Sequence, residues 1–316
     1  MAKQNKKFQV VTVGGTTRDI MFYSKEGEII KTPDMTKQKM LAFEYGAKIM
    51  ADELHFSFGG GASNAAVAMA SLGLKPAIVC MVGNDDNGNA VLKNFKERGV
   101  DISKIKISKD KATGFSVILT VDNKAREHVI FLHRGVNDSL TSSNLAGVES
   151  DWFYVSSLPK NDWTKIMTAL VNKNSNIFWN PGEKQLKDLA EVKKFLPKIK
   201  VFSINRDEAL EFRKLKDIKG LIKYIQSLGP KIVVITDGAN GAYAYDGSKY
   251  YFMKAKSTKA VDTVGVGDAF GSAFASALIY GKTVKDALSW GIKNSASCVA
   301  KIGAQNGLLT KKQIER

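Results

Sequence analysis

Along most of the chain, short apolar runs bounded by glycine alternate with segments whose apolar residues recur every three or four positions. The runs FQVVTVGG (8–15), AIVCMVG (77–83), WFYVSSL (152–158), NIFWNPG (176–182), VFSIN (201–205) and KIVVITDG (231–238) read as strands. Between them, 61–73, 87–99, 162–173, 206–215 and 221–229 have helical spacing, several with a glycine just behind the last turn, where a left-handed cap belongs. Two more helices are predicted at about 268–280 and 283–301. This alternation predicts an α/β fold of three layers, a doubly wound and mostly parallel sheet covered by helices on both faces.

Two regions break the rhythm. Residues 20–58 and 113–134 read as extended segments, and TGFSVILTVDNKAREHVIFLHRG is an apolar run, a polar turn at Asp122 to Arg126, then a second apolar run. That is a hairpin signature. Such strands form a small separate sheet inserted into one chain topology, and a flap over a cleft is its natural use. An exposed edge or apolar face on it gives a homodimer a place to form.

The chain has 316 residues, 44% of them hydrophobic, enough for a large core. Lysine plus arginine (47) exceeds aspartate plus glutamate (31) by 16, so the field favours anionic partners, among them phosphorylated small molecules. The basic residues are scattered instead of forming an aromatic-interleaved stripe, which argues against nucleic acid. Cys80 and Cys298 lie inside apolar segments and read as buried thiols of a reducing compartment, so a cytoplasmic location is expected. The apolar stretch near the start is short, rich in β-branched residues and runs into TTRD, as a first strand does and a signal peptide does not. No run approaches 18 apolar residues. His55, His128 and His133 show no metal-ligand spacing.

The chemistry concentrates in VDTVGVGDAF (261–270). Gly265, Val266 and Gly267 precede a helix, which sets three backbone N–H groups at its amino end, where open donors and the helix dipole attract phosphate. Asp268 falls in the first turn beside that pocket. Two negative groups repel unless another atom lies between them, and the hydroxyl of an attacking alcohol fits there. Taken alone, this stretch also reads as a tight turn with a capping acid. No nucleophile elbow, Walker loop or dinucleotide fingerprint stands in its required place.

Asp262 to Asp268 (DTVGVGD) resembles the carboxyl-terminal signature of the ribokinase-like or PfkB carbohydrate kinases, D-T-x-G-A-G-D. GGGASNAAVAMASLG, with Gly60, Gly61 and Asn64, is similar to their amino-terminal signature, and VTVGGTTRDI, MVGNDDNG, GVDIS, SINRDEA and VVITDGANGAYAY follow in the family's order. The resemblance covers nearly the whole chain. It implies one kinase domain over 1–316 with a β lid formed by about 20–58 and 113–134. It also implies Asp268 as catalytic base and the amides of Gly265, Val266 and Gly267 as an anion hole. Asp19, in the turn after the first strand, with Gly60, Gly61 and Asn64, would hold substrate hydroxyls, since a carboxylate and an amide together accept and donate. Asn205 and Glu208 match an element that clamps magnesium, through water, and phosphate. Thr236, Asp237, Gly238 and Gly241 match the nucleotide loop, and Asn294 sits where the purine or ribose is bordered. Singly, Asp19 also reads as a turn residue, Asn64 as a cap and Glu208 as an exposed acid. Two departures stand out: Val266 replaces the usual alanine, and CVAKIGAQNG opposite Asp262 is a loose match to a potassium site.

The expected activity is ATP-dependent and magnesium-dependent phosphorylation of a primary hydroxyl on a sugar. A nucleoside acceptor is the alternative, because MFYSKEG and LAFEYG offer aromatic rings to a base. Arg126 and Arg134 would meet an acidic or phosphorylated acceptor or face water. A non-catalytic nucleotide- or RNA-binding protein is a minor third reading, opposed by the presence of Asp268, Asn205 and Glu208.

Overall fold

The computed structural model describes residues 7–31, 39–121 and 128–316. The expected hairpin turn at 122–126 and Arg126 lie outside the described residues. The chain opens with β1 (Lys7–Val13), β2 (Thr17–Tyr23), β3 (Glu28–Lys31), β4 (Lys39–Ala42), β5 (Glu53–Gly59), α1 (Gly61–Ser71), β6 (Pro76–Val79), β7 (Met81–Gly83), α2 (Asp86–Glu97), β8 (Lys106–Ser108), β9 (Phe115–Thr120) and β10 (Val129–His133). It continues with β11 (Glu149–Val155), α3 (Trp163–Val171), β12 (Asn176–Trp179), α4 (Glu183–Leu186), α5 (Leu189–Phe195), β13 (Val201–Asn205), α6 (Arg206–Phe212) and α7 (Ile218–Ser227). β14 (Ile232–Thr236), β15 (Ala242–Tyr245), β16 (Tyr250–Met253), α8 (Val266–Ile279), α9 (Val284–Cys298) and α10 (Lys311–Ile314) complete it.

Eight strands form the central sheet in the order β16-β15-β14-β13-β12-β11-β1-β6. The six from β14 to β6 run parallel, and β15 and β16 add an antiparallel edge. Strands covered on both faces need apolar residues at consecutive positions, and β6 is buried at all four. One face packs Val11, Phe153, Trp179, Phe202 and Val233 against α3, α5, α6 and α7. The other packs Val10, Phe178 and Val234 against α1, α8 and α9. The expected three-layer α/β architecture is the observed one.

Some boundaries differ from the sequence reading. The helix expected at 206–215 ends at Phe212, α7 begins at Ile218 instead of 221, and α9 stops at Cys298. β15 and β16 fall in an aromatic stretch, AYAYDGSKYYFM, whose alternation suits a half-covered edge. Among the described residues no helix is long and apolar enough to cross a membrane.

A second sheet has the order β10-β9-β2-β5, and β3 pairs with β4. β9 and β10 pair antiparallel, Leu119 opposite Val129, as the hairpin pattern predicted, while β2 and β9 run parallel. Asp19 is a correction: it stands inside β2, not in a turn. The stretch TRDIMFY alternates, with Thr17, Asp19, Met21 and Tyr23 buried and Arg18, Ile20 and Phe22 partly exposed. A polar residue on the covered side of a strand reads locally like a turn residue. On that side, Met21, Tyr23 and Ile118 pack on Val264 and Ile302 of the main body.

Candidate active site

β1, β11, β13 and β14 all end at the same edge of the central sheet, the edge at which open α/β folds bind ligands. β1 leads through Gly14 to β2, and β5 leads through Gly60 into α1. Gly60 has φ 89°, and a Cβ there would lie 2.4 Å from the Gly15 carbonyl oxygen, so only glycine fits. This crossing brings α1 beside α8, and the Asn64 amide donates to Asp268 Oδ2 at 2.8 Å.

α8 starts on Gly265, in the left-handed region at φ 72°, with no side chain capping its first-turn N–H groups. A Cβ added at Gly267 would meet nothing within 4 Å, so open space lies beside this first turn. Asp268 is in that first turn. Burial raises its pKa, and the hydrogen bond from Asn64 pulls the other way. Gly61 lies alongside, its missing Cβ 3.2 Å from Asp268 Oδ1. Asp19 approaches from β2: it accepts from the Ser116 hydroxyl at 2.6 Å, and burial raises its pKa against the hydrogen bonds from Ser116 and Thr17. A Cβ on Gly59 would lie 2.1 Å from Asp19 Oδ2. Asn64 and Gly61 thus adjoin Asp268, while Asp19 packs against Gly59, one residue before Gly60.

On the far side of Val266 and Gly267 is a cavity of about 540 Å³ lined also by Asn205, Thr236, Gly238, Gly241, Thr258 and Lys256. It is floored by Phe270, Ile292 and Val299, apolar walls that suit a base, with donors at one end. Asn205 and Glu208 cap α6 reciprocally: Glu208 N–H donates to Asn205 Oδ1 and Asn205 N–H to Glu208 Oε2, both at 2.9 Å. Burial raises the Glu208 pKa, with Asp207 adding to it. Glu208 keeps one carboxylate oxygen outside the cap, an acceptor that a water on a magnesium ion could use. Among the described residues there is no cluster of three or more acidic, histidine or cysteine side chains able to hold a metal.

Other candidates are placed differently. Asn294 is fully buried, donating to the Ala269 carbonyl and accepting from Leu309 N–H, and its neighbours Ile292, Ser295 and Ala296 line the cavity instead. Asp237 pairs with Arg206 at 3.2 Å and is absent from the cavity lining. Both Asp262 oxygens accept backbone N–H groups, from Val264 at 3.0 Å and Gly303 at 2.7 Å, which ties the loop before α8 to Gly303. Arg134 pairs with Asp138. Lys256 and Ser116 escaped the sequence reading. The lysine-rich loop KAKSTKA marked the first, and nothing local marked the second.

The fold is that of the ribokinase-like kinases: a protein assigned as ribokinase II from E. coli, solved with ATP and Mg2+, superposes with a TM-score of 0.78 at 19% identity, covering 98% of each chain. Residues 10–311 match the pfkB family carbohydrate kinase, and the chain belongs to that family; it is a phosphotransferase with an alcohol group as acceptor. It is similar to the ribokinase of Haemophilus influenzae, 26% identical over 296 residues that cover 90% of this chain and 92% of the relative. It is also similar to the cytidine kinase of Thermococcus kodakarensis, 25% identical over 251 residues, 78% and 88% of the two chains.

Proposed function

We propose that this protein transfers the γ-phosphoryl group of ATP to a primary hydroxyl of a sugar, with Asp268 as general base. The observation that carries this reading is the position of Asp268: in the first turn of an uncapped helix, hydrogen-bonded by Asn64, with Val266 and Gly267 of the same turn lining the cavity. The acceptor hydroxyl would give its proton to Asp268 as its oxygen forms the bond to phosphorus and ADP leaves. The N–H groups at the start of α8 would hold the moving phosphoryl oxygens. Asn205 and Glu208 would hold magnesium through its water, and the ion would neutralise charge on the phosphates. Thr236, Gly238 and Gly241 would border the nucleotide. The sheet of β2, β5, β9 and β10 would act as a lid on one kinase domain, in a cytoplasmic setting.

A neutral acceptor is favoured. Arg18 turns away from the cleft to lie 4.3 Å over Phe58, and Arg134 is paired with Asp138, so neither offers a free cation to an acidic substrate. A nucleoside is the second reading, supported by the similarity to the cytidine kinase of Thermococcus kodakarensis. On the opposite side Leu54, Phe56 and Phe131 are exposed, and we propose that a second copy covers them.

Measuring ATP consumption with ribose, fructose, adenosine, cytidine and 2-dehydro-3-deoxygluconate tests the acceptor. Asp268→Asn tests the base: turnover should fall by about a hundred to ten thousandfold with ATP binding retained. Full turnover in that variant refutes the assignment.

A further inference from the structure

Gln305, within the CVAKIGAQNG stretch, stands in the middle of a buried chain of side-chain amides that ends on Asp268. Asn94, on α2, donates through Nδ2 to Gln305 Oε1 at 3.0 Å. Gln305 Nε2 donates to Asn64 Oδ1 at 3.0 Å and to the Ser63 hydroxyl at 3.1 Å. Asn64 Nδ2 in turn donates to Asp268 Oδ2. Asn94, Gln305 and Asn64 are 7%, 3% and 5% exposed, so water offers them little alternative.

The direction of these bonds follows from the charge at one end. An ionised carboxylate only accepts, so Asn64 must present its NH2 group to Asp268 and its oxygen to Gln305. Gln305 then faces Asn64 with nitrogen and Asn94 with oxygen. We propose that Asn94 and Gln305 lock the Asn64 amide with its NH2 toward Asp268, which makes Gln305 a positioning residue that holds the base in its proton-accepting form. This rests on Asp268 being the base.

Burial raises the Asp268 pKa, and the donor held by the relay opposes it. The other titratable groups that sense its charge are Tyr154, from β11 beneath α8, and Cys298 on α9, with Asp262 acting on Cys298 as well. Burial keeps both neutral, the thiol pushed up to about 12, so neither supplies a competing charge.

The test reverses the relay from its far end. Asn94→Asp places an acceptor opposite Gln305 Oε1. Gln305 and then Asn64 must turn over, and an amide oxygen meets Asp268. The Asp268 carboxyl, followed by its 13C shift and identified by its loss in Asp268→Asn, should titrate about one unit higher, a tenfold change in the ionised fraction at acid pH. The acid limb of kcat/KM, with ribose or cytidine as acceptor, should move with it. In the Gln305→Met background, which cuts the chain of hydrogen bonds at similar volume, the effect of Asn94→Asp should vanish.

An Asp268 that titrates as in the parent, or a shift that survives Gln305→Met, overturns the proposal; the latter would be a through-space charge effect. Should Asn94→Asp fail to fold, Gln305→Met alone must still raise the Asp268 titration, by about half a unit or threefold, and no rise overturns the proposal. Turnover in Asp268→Asn would defeat the base assignment whatever Gln305 does. An inactive Asp268→Asn with an unmoved titration in Asn94→Asp would defeat the relay alone.

Discussion

Helix starts in this protein are of two kinds. α2, α7 and α9 start on Asp85, Asp217 and Thr283, and each side chain accepts a first-turn N–H group of its own helix. α1 and α8 start on positive-φ glycines with no such bond. A capped start is stable alone, worth about 1 kcal/mol per cap. An uncapped start leaves donors for something else, and in α8 it leaves them beside a carboxylate with a raised pKa. Stability was given up at this helix end, and the open donors are where an anion would replace the missing cap.

Asp268→Asn is the largest test of that contrast. Beyond the loss of turnover, it should not lower thermal stability at neutral pH. A carboxylate whose folded pKa lies above its unfolded value binds its proton more tightly when folded, so its contribution is present at low pH and lost as pH rises through the folded pKa. Removing the charge removes that cost. In the parent, the same raised pKa puts the acid limb of activity above the ordinary carboxylate range. Thermal melting from acid to neutral pH, beside a pH–rate profile, checks both; a variant that melts well below the parent at neutral pH would show that the carboxylate stabilises the fold.

Gly267→Ala comes next. The added methyl meets nothing in the protein, and alanine is the better helix former by up to about 1 kcal/mol, so the melting temperature should hold or rise. The methyl would project into the space assigned to phosphate, and kcat/KM for ATP should fall by about tenfold or more. Unimpaired ATP use would move the phosphate elsewhere.

How much of this contrast was legible beforehand depended on the distance over which each residue acts. The glycines, Asp268 and the strand-helix alternation are local patterns, and the sequence displays them. Asp19 reads locally as a turn residue yet stands buried in β2, because its burial depends on β5 and β9 closing around that strand. Asn294 was assigned to the nucleotide, yet its amide is consumed by Ala269 and Leu309 in the interior. Gln305 acts across 241 residues on Asn64 and 211 on Asn94, separations with no periodic signal. The exposed apolar strand β10 was readable as a strand, but its edge position was not.

The smallest effects come from the caps, and they locate the border between the two kinds of helix start. Thr283 accepts Asp286 N–H at 3.2 Å and donates to the Asp286 carboxylate at 2.6 Å, remote from the cavity lining. Thr283→Ala should cost about 1 kcal/mol and lower the melting temperature by roughly 2 °C, with turnover unchanged. Asn205 makes the same kind of cap on α6, but it also lines the cavity. Asn205→Ala should show the same melting loss together with a raised KM for ATP and a higher magnesium requirement. Asn205→Asp should restore the cap, since aspartate caps as well as asparagine, while the added charge changes the magnesium response. If Asn205→Ala and Thr283→Ala shift melting alike and neither alters ATP use, Asn205 is a cap and nothing more, and the open helix starts alone would mark the nucleotide site.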